Sequence, residues 1–231
     1  MDSELNLPAP YTPQAGFVAA LAACPMIAIV RGIRPAEAVE HGRALYEAGF
    51  RIVEVPLNSP AALESIAALR AALPADAMVG AGTVLTPERV RDVKNAGGEL
   101  IVMPHADVDV VLAAKLQGLA CVPGVATPTE AFAALKHGAD ALKMFPAEQL
   151  GPAVTKAWRA VIPPVVPLLP VGGVTPGNME PQLAAGASGF GLGSALYKPG
   201  QEVATTRANA LAFIAAWNAL QGAGRPAGAR A

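Results

Sequence analysis

A chain of 231 residues, 53% hydrophobic and only 15% charged, is not disordered, can bury a large core and falls within the range of one barrel or one large α/β domain. Its net charge of -1 and the lack of any basic stripe argue against a nucleic acid or an anionic membrane surface as partner. Cys24 and Cys121 stand far apart with no C-x-x-C, which excludes a disulfide scaffold and suits a reducing cytosol.

His41, His105 and His137 are scattered and make no His/Cys cluster, so no protein-built metal site is expected. The start Met1-Asp2-Ser3-Glu4 has neither a basic n-region nor an apolar h-region, and no uninterrupted apolar run reaches membrane-spanning length. The expectation is a cytoplasmic protein with no membrane partner. The low charge leaves room for a subunit interface.

In chain order, residues 1–15 read as a flexible tail and 16–220 as one domain, with a second tail at 221–231. A first apolar strand is predicted at 26–30. Pro35-Ala36-Glu37 then opens a helix that ends at Ala48-Gly49, before a strand at 51–55. Ser59-Pro60 opens the next helix, with an apolar face over 61–72, and Leu73-Pro74 closes it before a strand at 77–81. Thr86-Pro87-Glu88 starts a helix ending at Ala96-Gly97, and a strand follows at 100–103. Gln117-Gly118 closes another helix before a strand at 119–122. Thr127-Pro128-Thr129-Glu130 leads to His137-Gly138 and a strand at 141–145, and Ile162-Pro163-Pro164 precedes one at 165–169. Thr175-Pro176 opens the helix that ends at Ala185-Gly186, before the last strand at 189–191. Glycine suits the left-handed residue that closes a helix. Short, apolar, non-alternating strands between helices imply parallel pairing and right-handed crossovers. Eight such units imply a (β/α)8 TIM barrel. The competing architecture is an open doubly wound sheet, but no G-x-G-x-x-G follows the first strand.

In such a barrel the chemistry lies at the C-terminal strand ends. Residues 139–146 place one lysine, Lys143, inside an apolar strand. Apolar surroundings disfavour its ammonium and lower its pKa, and the neutral amine attacks carbonyls to give a Schiff base. The plain alternative is a lysine that snorkels to solvent. Glu54 lies between Val53 and Val55. Alternation turns the valines to the helices and Glu54 inward, as it turns Lys143 inward from Leu142 and Met144. A buried carboxylate beside an amine serves as general acid and base; alternatively Glu54 only pairs with Arg31 or Lys143. Gly172-Gly173 and Gly191-Leu192-Gly193-Ser194 close the last two strands, where phosphate commonly binds in these barrels, although tight turns also need glycine. His105 either lines the mouth or is a solvated or core histidine.

These motifs together resemble the class I aldolases of the 2-keto-3-deoxy-6-phosphogluconate/galactonate family. They are Ile27-Ala-Ile-Val-Arg-Gly32, Val53-Glu-Val-Pro-Leu-Asn-Ser-Pro60, Val79-Gly-Ala-Gly-Thr-Val84, Leu142-Lys-Met-Phe-Pro146, Val171-Gly-Gly-Val174 and Gly191-Leu-Gly-Ser194, in order over about 25–200. Pro-Leu-Asn-Ser-Pro after Glu54, Val171 before the glycine pair and Gly-Leu-Gly-Ser resemble the galactonate branch. The gluconate branch has Thr-Leu-Arg-Thr and a threonine at those places, so here Asn58 stands where an arginine would bind carboxylate. The resemblance implies reversible cleavage of a phosphorylated keto-deoxy sugar acid to pyruvate and glyceraldehyde 3-phosphate. It implies Lys143 as Schiff-base residue, Glu54 as acid/base, and Arg31 and Thr83 at the carboxylate. Phe145 would pack on the apolar face of the substrate, with Val171 near C4 and Gly172, Gly173, Gly193 and Ser194 around the phosphate. It implies no cofactor and no metal, since the iminium does the polarising, and a homotrimer. The alternatives are the gluconate epimer or both epimers as substrate, a phosphosugar isomerase or epimerase, and a non-catalytic phosphosugar-binding barrel.

Overall fold

The computed structural model describes residues 11–223. Helix α1 (Ala15–Ala23) precedes β1 (Met26–Ile29), α2 (Pro35–Ala48), β2 (Ile52–Pro56), α3 (Ala62–Ala72), β3 (Met78–Gly82), α4 (Pro87–Asn95) and β4 (Leu100–Val102). Then come α5 (Val108–Leu116), β5 (Ala120–Val122), β6 (Gly124–Val125), α6 (Pro128–Lys136) and β7 (Leu142–Met144). The chain ends in α7 (Pro152–Arg159), β8 (Leu168–Pro170), α8 (Met179–Ala184), β9 (Phe190–Leu192) and α9 (Val203–Ala223).

The strands pair in parallel in two sheets, ordered β5-β4-β3-β2-β1-β9 and β6-β7-β8. Hydrogen bonds join the sheets on both sides. Asp140 N donates to Cys121 O and Lys143 N to Pro123 O, each at 2.9 Å, while Ser188 N donates to Leu168 O at 2.8 Å beside a Val171–Gly191 bridge. This is the alternating parallel α/β fold expected from the sequence. The strand expected at 119–122 forms as β5, and pairing resumes past Pro123 as β6. Proline has no N–H to give the ladder, so pairing breaks there and restarts at Gly124.

The helix-ending glycines Gly49, Gly97, Gly118, Gly138 and Gly186 adopt φ from 70° to 118°. Thr86 and Thr127 cap α4 and α6 through their side chains. Two expected helix starts move. Ser59 Oγ accepts from Gly32 N at 2.8 Å instead of capping, so α3 begins only at Ala62. Thr175 N donates to Asn178 Oδ1 at 2.8 Å, and α8 starts after Asn178.

Strand alternation sorts the core. Val53, Val55, Ala81 and Ile101 face a cluster with α2, α3, α4 and α5, and Leu142 and Met144 face α6 and α7. On the inner face Ile27, Ile52, Met78, Leu100, Ala120, Ala141 and Leu169 pack against Phe17, Ala20 and Leu21 of α1, which seals the N-terminal ends of the strands. Burying Phe17 contributes about 2 kcal/mol.

The described part of the expected N-terminal tail is held in place. Tyr11 OH donates to Asp140 O, Gln14 N to Asp140 Oδ1, and Gln14 caps α1. Residues 221–223 continue α9. The remaining tail expectations, at 1–10 and 224–231, lie outside the described residues. Among the described residues no helix is long and apolar enough to cross a membrane.

Candidate active site

The end of the sheets opposite α1 is where the inner face turns polar. Glu54, midway along β2, is 2% exposed, and its Oε2 has no hydrogen-bond partner among the described residues. A simple bidentate ion pair with Arg31 or Lys143 therefore does not account for it. The carboxyl lies over Gly82, where any β-carbon would overlap it, so the β3 glycine is what makes room. Burial disfavours the charged form and pushes the Glu54 pKa up to about 7, against the pull of Lys143 and then of Arg31.

Lys143, the middle residue of β7, is 6% exposed. Burial holds its pKa below the ordinary lysine range; Glu54 opposes this and Arg31 adds to it. Its Nζ lies 4.6 Å from the centroid of the Phe145 ring. Burial thus moves the acid and the amine each toward its neutral form.

Above them opens a cavity of about 330 Å³. Arg31, Lys143, Phe145, Val171, Gly172, Gly173, Gly193 and Ser194 all line it, so most of the sequence-predicted residues meet in one place. Glu54 lies buried rather than on the wall. Thr83 is not on the wall either. It follows β3 with φ 56°, a left-handed conformation that a β-branched residue adopts at a cost of about 1–3 kcal/mol. Arg31 Nη1 donates to Asn58 Oδ1 at 2.6 Å. Asn58 thus supports the arginine that follows β1.

Sequence reasoning missed Glu148, Tyr197 and Lys198, which also line the cavity. The available signal was position: Glu148 follows the Lys143 strand and Lys198 follows Gly193-Ser194. Tyr197 OH donates to Glu37 Oε1 at 3.1 Å, and its ring meets His41 edge-on at 5.1 Å. His41 shares a 2.7 Å hydrogen bond with Thr206 and is a core histidine. His105 sits past β4, off the cavity wall, with a buried Nδ1 that has no partner among the described residues. Cys24 and Cys121 are buried, and burial raises both thiol pKa values, that of Cys24 to about 11, so neither is poised as a nucleophile.

A parallel α/β scaffold thus encloses a lysine and a carboxylate below a glycine-edged cavity at one end of its strands. The family model for the KDPG and KHG aldolases matches residues 18–209. The 2-dehydro-3-deoxy-6-phosphogalactonate aldolase of Escherichia coli (strain K12) is 48% identical over 193 residues, which cover 84% of this chain and 94% of that protein. A solved native KDPGal structure superposes with a TM-score of 0.84 at 46% identity, over 86% of this chain and 96% of that one. The KDPG aldolase of Legionella pneumophila, solved with pyruvate captured at low pH as a covalent carbinolamine, gives a TM-score of 0.75 at 29% identity, over 86% and 96%. The chain belongs to the KDPG and KHG aldolase family of lyases.

Proposed function

We propose that this chain is a class I aldolase that reversibly cleaves 2-dehydro-3-deoxy-6-phosphogalactonate to pyruvate and D-glyceraldehyde 3-phosphate. The observation that carries the reading is the enclosure of Lys143 with Glu54, each shifted toward its neutral form at the floor of the cavity. The relatives act in support: one takes its name from this substrate, and another holds pyruvate as a carbinolamine.

Neutral Lys143 adds to the C2 ketone, and the carbinolamine loses water to give an iminium. Glu54 takes the C4 hydroxyl proton, the C3–C4 bond breaks, and its electrons pass into the iminium to leave an enamine. Glyceraldehyde 3-phosphate departs as the aldehyde. Glu54 returns a proton to C3, and water hydrolyses the pyruvate iminium and frees Lys143. A pKa near 7 suits a group that both takes and returns a proton at neutral pH. Arg31, on the cavity wall, holds the pyruvyl carboxylate through paired hydrogen bonds, and Thr83, behind the wall, is assigned to that end of the substrate by the resemblance alone. Phe145 packs on the apolar face of the substrate. Gly172, Gly173, Gly193 and Ser194 receive the phosphate, since their backbone edges the cavity after the last two strands, where phosphate commonly binds in such barrels.

This reading includes one closed (β/α)8 barrel, with β5 and β6 as one interrupted strand. The hydrogen bonds that link the two sheets on both sides favour it. It also includes a cytoplasmic homotrimer, for which sedimentation of the purified protein is the check. The gluconate epimer is the second reading, as a slower substrate, because the apolar Val171 side chain on the cavity wall discriminates only weakly between epimers. An isomerase, an epimerase or a non-catalytic binder would not need a desolvated lysine. The test is borohydride reduction in the presence of pyruvate, then mass analysis of the Lys143 peptide. A reduced pyruvyl adduct on Lys143 is expected; an adduct elsewhere, or none, refutes the Schiff-base reading.

A further inference from the structure

The loop after β7 carries a carboxylate into the place assigned above to the phosphate. Gly172 and Gly173 follow β8 with φ 115° and 63°, and their bare backbone edges the cavity. The Glu148 side chain lies directly over both. A β-carbon on Gly172 would overlap its carboxylate, and one on Gly173 would lie 2.8 Å from its Cγ and 3.0 Å from its Oε1. The loop is tied there, because Ala147 N donates to Val171 O at 2.9 Å. On the far side Asn178 Nδ2 holds Gly173 O at 2.8 Å. Glu148 is exposed and, among the described residues, forms no ion pair.

We propose that Glu148 is a resident anion of the Gly172–Gly173 cradle, and that a phosphate must displace it to bind. The inference rests on the phosphate assignment made above. Carboxylate and phosphate cannot share the cradle, because they need the same volume and carry like charge. A free anion has to expel Glu148 unaided. A substrate held at Lys143 presents its phosphate at high effective concentration and completes the displacement. Glu148 thereby makes the site select a phosphate delivered on the keto-acid chain over inorganic phosphate.

The experiment compares inorganic phosphate as an inhibitor of cleavage in the wild type, Glu148→Gln and Glu148→Ala, at low and high ionic strength. Both variants should bind inorganic phosphate about five- to tenfold more tightly at low salt. The gain should shrink toward twofold at about 1 M salt, where charge repulsion is screened beyond roughly 3 Å. The KM for the phosphorylated substrate should fall, and that for its unphosphorylated analogue should hold. Competitive phosphate inhibition of equal strength in all three proteins overturns the inference and leaves the phosphate site standing. If phosphate does not compete in any of them, and Gly193→Asp harms both substrates equally, the phosphate assignment fails and this inference falls with it.

Discussion

Replacing Glu54 by glutamine separates what this residue does for catalysis from what its burial costs the fold. In the folded chain its pKa stands at about 7 against an ordinary 4.5. A raised acid pKa means that the folded state prefers the protonated form. The associated stability is complete below about pH 4.5 and is lost as pH climbs through about 7. Across the full climb, at about 1.36 kcal/mol per pH unit, the loss comes to roughly 3–4 kcal/mol. Between pH 5.5 and 8.5 the unfolded carboxyl is already ionised while the folded one titrates, and the wild type should lose about 2 kcal/mol relative to Glu54→Gln. For a domain of this size that is a divergence of roughly 4–8 °C in Tm. Urea unfolding and thermal scans of both proteins across this range provide the assay. The same variant should turn over about 10²–10⁴ times more slowly while still trapping pyruvate on Lys143. Parallel stability curves, offset by a constant, would refute the claim that burial holds Glu54 near neutrality.

Lys143→Arg should abolish cleavage and pyruvate trapping with little change of fold, since a guanidinium keeps the charge but forms no imine; near wild-type turnover would refute the Schiff base. Asn58→Ala removes the 2.6 Å hydrogen bond to Arg31, worth about 1 kcal/mol, and should raise KM about fivefold with kcat within about twofold. An unchanged KM in steady-state assays would leave Asn58 without a positioning role. Val171→Thr adds a hydroxyl to the cavity wall near C4 and should move the kcat/KM ratio of the two epimers toward the gluconate form by about tenfold. Assays with both purified epimers decide it, and a wild type that cleaves only the gluconate epimer sinks the galactonate assignment.

Strand alternation and helix punctuation made the placement of Glu54 and Lys143 legible. Each sits between apolar residues committed to a helix-facing cluster, so only the inner face was left for it. The glycine pairs were legible as strand ends. What escaped depends on contacts distant in sequence. Ser59 looked like a helix cap until Gly32, 27 residues away, claimed its hydroxyl. The strand expected at 119–122 forms as β5, but that pairing resumes past Pro123 as β6 was not legible. The order at Tyr11 and Gln14 comes from Asp140, more than 120 residues on, and local composition carries no trace of it. Glu148 reads as an ordinary loop carboxylate until β8 brings the two glycines beneath it.

Two buried carboxylates mark the two ends of this fold, and their surroundings differ in kind. Asp140, fully buried on the side sealed by α1, accepts from Lys115 Nζ at 2.6 Å, from Cys121 N at 2.7 Å and from Gln14 N. Its charge is matched by a cation and two backbone donors, which tie the N-terminal segment and α5 to the sheets. Such a group has nothing left to offer a ligand. Glu54 keeps Oε2 buried and unpartnered among the described residues, and its proton affinity rises accordingly. A native chain tolerates so costly an orphan where some other molecule completes it. Lys143, also buried, is likewise pushed toward its neutral form. The end sealed by α1 is therefore a solved electrostatic problem and the opposite end an open one. It is the open end, with its arginine, its glycine cradle and its resident Glu148, that a keto acid bearing a phosphate has the charges and the hydroxyl to complete.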